Sequence, residues 1–348
     1  MNPVLVEVMR GGHVESRHAG ALAIVDADGA VLAALGDIGR SVFPRSAVKL
    51  LQALPLVASG AADRLALSDA ELALACASHN GEEAHVQTAA SMLAKAGLDA
   101  TALECGAHWP SLDTAARALA ARGGEPGALH NNCSGKHAGF ACLACAMSGG
   151  ADLRGFLAGY VKPEHAVMRE VSAALQAATG ADLPNAPRGT DGCAIPTYAI
   201  PLRQLALAFA RVGTGTGLSA DHARAAQRLR HAVAREPFMV GGTGRFDTRV
   251  MERLGERAFV KVGAEGVYCA ALPQRGLGVA IKMDDGNNAR AVEAVMAALI
   301  EALVSLGDDE AVFMRSLSEP VLRNWNGTEV GGLRPTPAVR ALSVSRSA

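Results

Sequence analysis

Ala21-Leu22-Ala23-Ile24-Val25-Asp26-Ala27-Asp28-Gly29-Ala30-Val31-Leu32-Ala33-Ala34-Leu35 reads as two apolar strands around an Asp-Gly hairpin turn. Just before it, Val4, Val6 and Val8 alternate with Leu5, Glu7 and Met9 in another strand. From about residue 45 the pattern becomes helical. Ser68-Asp69-Ala70-Glu71 is a capping box ahead of the apolar run Leu72 to Ala77. Helical periodicity then marks Glu82–Ala96, Asp113–Arg122, His137–Met147, Leu202–Val212 and Ala220–Ala234. Strand character returns at Ala258–Val262, Gly266–Leu272 and Gly278–Lys282, spaced as a meander, before an amphipathic helix over about Ala289–Leu306. Ser343 to Ala348 reads as a loose tail. Strands at both chain ends with helices between them predict an α+β protein: one antiparallel sheet built from both ends, a helical lobe inserted, and the late helix packed on the sheet. The boundaries expected are a sheet lobe of about 1–44 and 257–348 and a helical lobe of about 45–256, within a single domain.

Composition narrows the function. The chain has 348 residues, half of them hydrophobic, 33 Lys+Arg against 34 Asp+Glu, and net charge −1. Near-neutral charge without basic blocks, and only 4% aromatic residues, argue against a nucleic-acid binder. No signal-like leader and no uncharged apolar run of spanning length is evident, so a soluble cytoplasmic protein acting on a small polar molecule is expected. Seven cysteines, an odd number without an export signal, point to thiol or metal chemistry over a disulfide framework. Only six of the 33 basic residues are lysine; the bias itself reads as genomic base composition, and granted that, the remaining lysines are enriched in positions where arginine, unable to give up its proton, would not serve.

Three constellations could carry chemistry. Ser46-Ala47-Val48-Lys49 is an S-x-x-K motif at a helix start, where the spacing puts the amine on the face of the hydroxyl. A lysine can act as base for a serine nucleophile once burial and a nearby cation lower its pKa from about 10.4. Ser78-His79-Asn80 gives S-x-N, and Lys261-Val262-Gly263 gives K-x-G on a late strand. The order resembles the S-x-x-K, S-x-N and K-T-G motifs of penicillin-recognising serine enzymes, although His79 and Val262 depart from that pattern. Read singly, S-x-x-K is as simply an exposed helix start. The third constellation is Asn131-Asn132-Cys133-Ser134-Gly135-Lys136-His137 with Asp191-Gly192-Cys193. Cys133 and Cys193 are either plain loop thiols or two ligands of a zinc ion, with Lys136 or His137 as nitrogen donor and His137 the more usual choice. Cys142 and Cys145 read as core.

Together these segments resemble the rhizobial-type (class 3) L-asparaginases, the asparaginase II or thermolabile asparaginase family. The likeness lies in Pro44–Gln52, Ser78–Glu82, Asn131–Gly139, Asp191–Cys193, Arg235–Gly244 and Lys261–Gly266, and runs from about residue 3 to about 300. It implies a single catalytic domain with a serine β-lactamase/glutaminase-like fold, and hydrolysis of L-asparagine to L-aspartate and ammonia by a homodimer. It implies two Ser–Lys tandems, Ser46/Lys49 and Ser78/Lys261, and a zinc ion held by Cys133, Lys136 and Cys193, modulating more than catalysing. His137, Asp191 and Arg45 become candidates for the substrate. The alternatives are another penicillin-recognising-type serine acyl hydrolase, or a non-catalytic amino-acid sensor.

Overall fold

The structure is a computed structural model that describes residues 1–150 and 152–342, so the expected tail from Ser343 lies outside the described residues. The strands β1 (Val4–Arg10), β2 (His13–Asp26) and β3 (Val31–Leu35) form where the alternation predicts, and β2 and β3 pair antiparallel across the Asp-Gly turn. The late meander supplies β4 (Phe259–Val262), β5 (Val267–Leu272) and β6 (Leu277–Met283). Two further strands, β7 (Val321–Arg323) and β8 (Glu329–Pro335), complete a sheet of order β7-β8-β1-β2-β6-β5-β4, with β3 also on β2. The pairings β7–β8, β8–β1, β1–β2, β2–β6, β6–β5 and β2–β3 are antiparallel. Thus both chain ends do build one antiparallel sheet, joined along the fourteen-residue β2. Its first half pairs with β1, and its second half lies between β6 and β3.

Helices of seven or more residues are, in chain order, α1 (Lys49–Ala58), α2 (Asp69–Ala75), α3 (Glu83–Lys95), α4 (Asp113–Ala121), α5 (Ser134–Met147), α6 (Ala166–Thr179), α7 (Leu202–Thr214), α8 (Ala220–Arg235), α9 (Phe246–Leu254), α10 (Glu293–Leu303) and α11 (Asp308–Ser318). The chain divides into two compact units: Met1–Ala47, Ile200–Thr214 and the described part of Val260–Ala348 in one, Val48–Ala199 and Gly215–Phe259 in the other.

In the sheet unit, α7 packs on β2, β5 and β6. A Cβ at Gly278 on β6 would come within 1.9 Å of the Ala206 carbonyl oxygen, so only glycine lets α7 approach this closely. The helix read over Ala289–Leu306 is shorter and begins differently. A π-turn occupies Asn288–Val292, with Asn287 Oδ1 accepting from the N–H groups of Arg290 and Ala291, and the α-helix proper is α10. Nor is α10 a surface helix: it packs on β1, β8 and α11, and buries eight of its eleven residues.

In the helical unit, α1 packs against α5, α6 and α8, while α2 packs against α5 and α8. Every residue of α1 from Lys49 to Leu56 is buried, which makes it the central helix. The capping box at Ser68 and Glu71 forms as read and starts α2. Gly135 on α5 faces α2, where a Cβ would come within 2.4 Å of Leu74, so this glycine sets how closely α5 can approach. Among the described residues no helix is long and apolar enough to cross a membrane.

Candidate active site

The helical unit gathers most of the chemistry the sequence singles out. Lys49, the first residue of α1, has no exposed surface. Its Nζ donates to the Ala77 carbonyl oxygen, lies 3.4 Å from Asn132 O, and is 3.1 Å from Cys133 Sγ. Lys136, two residues into α5, donates to Cys193 Sγ at 3.0 Å, and its Nζ stands 5.8 Å over the Phe140 ring. Both thiols are buried, and Cys133 Sγ donates to Asn132 Oδ1 at 3.2 Å. The four side chains therefore form one buried sulfur–amine cluster.

Its electrostatics separate the two amines. Burial pushes Lys49 below the ordinary lysine value, and the Lys136 ammonium adds to this against the attraction of Cys133. Lys136 is also wholly buried, which works against its charge, but Cys193, Cys133 and Asp191 outweigh burial and hold it above the ordinary value. The hydrogen bond from Cys193 and the two lysines hold Cys133 well below the ordinary thiol value, despite burial. The same bond, together with burial, raises Cys193. The surroundings thus lower Lys49 and raise Lys136, so that of the two amines Lys49 gives up its proton more readily.

Local backbone explains how these residues are held. Asn131 Oδ1 accepts from the Cys133 N–H at 2.8 Å, and its amide nitrogen donates to the Cys105 carbonyl, which fixes the turn into α5. His79 is the main residue whose role the motif reading misses. Its Nδ1 accepts from the Gly81 N–H. Ser134 Oγ donates to Leu129 O, so its lone pair accepts from His79 Nε2 at 2.9 Å. His79 therefore ties the 78–81 loop to the segment carrying Cys133, and its ring stacks on His85, which stacks on Phe238. Ser78 is buried in this loop, its N–H on Val240 O and its carbonyl accepting from Arg245. Asp191 and Cys193 sit at the turn of the ribbon 188–198, where the Ala194 backbone is left-handed at φ 74°. Asp191 Oδ1 accepts from the Gly192 N–H.

His137 is not part of the sulfur–amine cluster. Its Nδ1 is 2.7 Å from the Tyr160 hydroxyl. The remaining predicted residues belong to the sheet unit. Ser46 lies on the 3-10 turn Arg45–Val48, directly after Arg45, whose φ of 51° is unusual for a side-chain-bearing residue. Lys261 is on β4 with no exposed surface, and its Nζ donates to the Val262 carbonyl at 2.9 Å.

The model of the family described as L-asparaginase II matches residues 6–335 of this sequence. The chain belongs to the L-asparaginase II family. No curated protein matches it. Two solved structures, described as the crystal structure analysis of Mglu and of Mglu in its native form, match at 16% identity with TM-scores of 0.34 and 0.33. Each is covered over 78% of this chain, but the chain spans only 64% and 61% of their lengths. At that level the likeness adds nothing to the fold of this L-asparaginase II family member. Among the described residues no three His, Cys, Asp or Glu side chains gather to hold a metal. The donor set expected from the resemblance is of another kind, two thiols and a lysine amine. These are present together: Lys136 Nζ lies 3.0 Å from Cys193 Sγ, and both buried thiols act electrostatically on it. A soft dication fits two convergent buried thiols and one nitrogen.

Proposed function

We propose that this chain is an L-asparaginase, hydrolysing the side-chain amide of L-asparagine to L-aspartate and ammonia as a homodimer on a serine β-lactamase-like arrangement. The observation that carries the reading is the burial of Lys49 beside Cys133. A serine needs a neutral base, and Lys49 is a fully buried amine whose basicity is lowered by burial and by Lys136. Family membership across residues 6–335 supports the same substrate class.

In this mechanism Ser46 attacks the amide carbon and its proton passes to Lys49. Backbone N–H groups, that of Ser46 among them, stabilise the oxyanion. Ser78 and Lys261 deliver a proton to the departing nitrogen, which leaves as ammonia; water then attacks the aspartyl ester, giving its proton back to the Ser78/Lys261 pair while Lys49 returns its proton to Ser46. The parts given to Ser46 and Lys261 rest on the family motifs. The left-handed Arg45 supports Ser46, since backbone strain concentrates at functional turns. Arg45, His137 and Asp191 bind the substrate. Cys133, Lys136 and Cys193 would hold a zinc ion once Lys136 gives up its proton; when bound, the ion would supply positive charge in place of that ammonium, keeping the thiols ionised and favouring an anionic amino acid nearby.

Ammonia release from L-asparagine, with L-glutamine in parallel, tests the reading on purified, zinc-supplied protein. Release from asparagine that disappears in Ser46→Ala is expected. A folded wild type releasing none from either substrate, or a Ser46→Ala variant that keeps its rate, overturns it.

A further inference from the structure

Tyr160 belongs to none of the sequence motifs, yet it is completely buried and hydrogen-bonded to a site residue. Two bonds involve its hydroxyl. The Glu104 backbone N–H donates to the oxygen at 3.0 Å, and His137 Nδ1 lies 2.7 Å away. The Glu104 carboxylate reaches across to accept from the Gly159 N–H at 2.7 Å, so residues 104 and 159–160 lock each other in place.

Counting protons settles the direction of the His137 contact. Only one proton can lie between the hydroxyl oxygen and Nδ1. If the imidazole donated it, the phenol hydrogen would be buried without an acceptor, a loss of about 1–3 kcal/mol. The phenol therefore donates to Nδ1, consistent with burial raising the Tyr160 pKa and keeping its proton on. A neutral imidazole accepting at Nδ1 carries its own hydrogen on Nε2. That Nε2 is buried and has no hydrogen-bond partner among the described residues, while the ring is held edge-on by Tyr160 and tilted against Phe140. A buried donor left open in this way is available to an acceptor that enters the site.

We propose that Tyr160 is a positioning residue: it locks His137 in the Nε2–H tautomer, so that Nε2 presents a fixed donor to an acceptor oxygen of the amino-acid substrate. The inference deepens the asparaginase reading and rests on it for the identity of the acceptor. Tyr160 touches no reacting atom and acts only through His137.

The test is a cycle of variants in the zinc-supplied full chain. Y160F removes the proton that holds the tautomer and also the acceptor of the Glu104 N–H, a loss common to both backgrounds of the cycle. It is expected to raise KM for asparagine five- to twenty-fold with kcat changed less than threefold, with zinc content close to wild type and a somewhat lower thermal midpoint. An amide side chain has no tautomer to lose, so in an H137Q background the same Y160F change is expected to move KM less than twofold. Equal effects of Y160F in both backgrounds would mean a merely structural role and overturn the proposal. Nitrogen-15 spectra of labelled histidine in wild type need no turnover and survive a variant that fails to fold. Nδ1 unprotonated and Nε2 protonated is expected. A His137 protonated on Nδ1 overturns the lock even if asparagine is hydrolysed. The expected tautomer in a protein that hydrolyses no asparagine overturns the asparaginase reading instead.

Discussion

The Nζ atom of Lys49 lies 3.1 Å from the sulfur of Cys133, within the helical unit, where both side chains are buried. A lysine beside a thiol usually gains charge, as Lys136 does. Lys49 goes the other way because its desolvation outweighs the sulfur's pull and a second ammonium stands nearby. In the metal-free protein this asymmetry makes Lys49 the more readily deprotonated of the two amines.

Replacing Lys49 with Met therefore removes the base while keeping most of the volume. General-base contributions of 10²–10⁴ lead us to expect kcat to fall about a thousandfold or more. Stability should change by no more than about 2 kcal/mol, because the lost desolvation cost offsets the acceptor left at Ala77 O. Steady-state ammonia release and thermal unfolding of the same preparation check both. Near-wild-type kcat would remove Lys49 from the mechanism.

The sulfur pair gives a second expectation. Cys133→Ala with Cys193→Ala takes away both soft donors, leaving the Lys136 amine alone. Zinc per chain should be close to one in wild type and close to zero in the double variant, by elemental analysis after dialysis. KM for asparagine should rise more than kcat falls, as fits an ion that modulates binding. Equal zinc content in both proteins would refute the assignment.

How much of this was legible in the sequence differs by element. The hairpin around Asp28-Gly29 and the Ser68 capping box form as read because their signals are local: a turn demanding a positive φ, and a side chain closing on the third N–H beyond it. The strands β7 and β8 were not legible. Val321-Leu322-Arg323 is too short to show a period, and β8 carries Gly331 and Gly332 in its interior. There Gly331 is required by contact with Met9 O, a partner more than 300 residues away. The site shows the same division. Cys133, Lys136 and Cys193 stand out by residue type and phrase, but the hydrogen bonds of His79 to Ser134 and of Tyr160 to His137 depend on packing that no spacing reveals.

Away from the site, Glu71 carries an acid-sensitive anchor. Burial works against its ionisation, but the Lys95 ammonium, the Ser68 N–H and the Ser91 hydroxyl outweigh it and hold the carboxyl below its ordinary value of 4.5. A folded pKa below the unfolded one means that this stabilisation is complete above the unfolded value and is lost as pH falls through the folded one. Wild type should lose stability below about pH 4.5 more steeply than Glu71→Gln, which is expected to be about 1–3 kcal/mol less stable at pH 7. Urea unfolding between pH 3 and 7 compares them, and parallel curves for the two proteins would contradict the anchor.

Ala194 sits at φ 74° immediately after Cys193, a conformation that costs a residue with a Cβ about 1 kcal/mol relative to glycine. Its N–H closes the turn on Asp191 O, and the Asp191 N–H answers on Ile195 O, so the strained residue is held between two backbone bonds. Ala194→Gly should relieve the strain and raise folding stability by about 0.5–1 kcal/mol in the zinc-free protein. The gain is reduced by the extra freedom glycine has in the unfolded chain. That freedom also reaches the folded loop, where Cys193 must meet Lys136 and Cys133 without searching. Zinc affinity should accordingly fall severalfold while stability rises, a divergence seen by pairing chemical denaturation with competition against a chelator. If both rise together, the turn is strained for packing alone and does not preorganise the thiol.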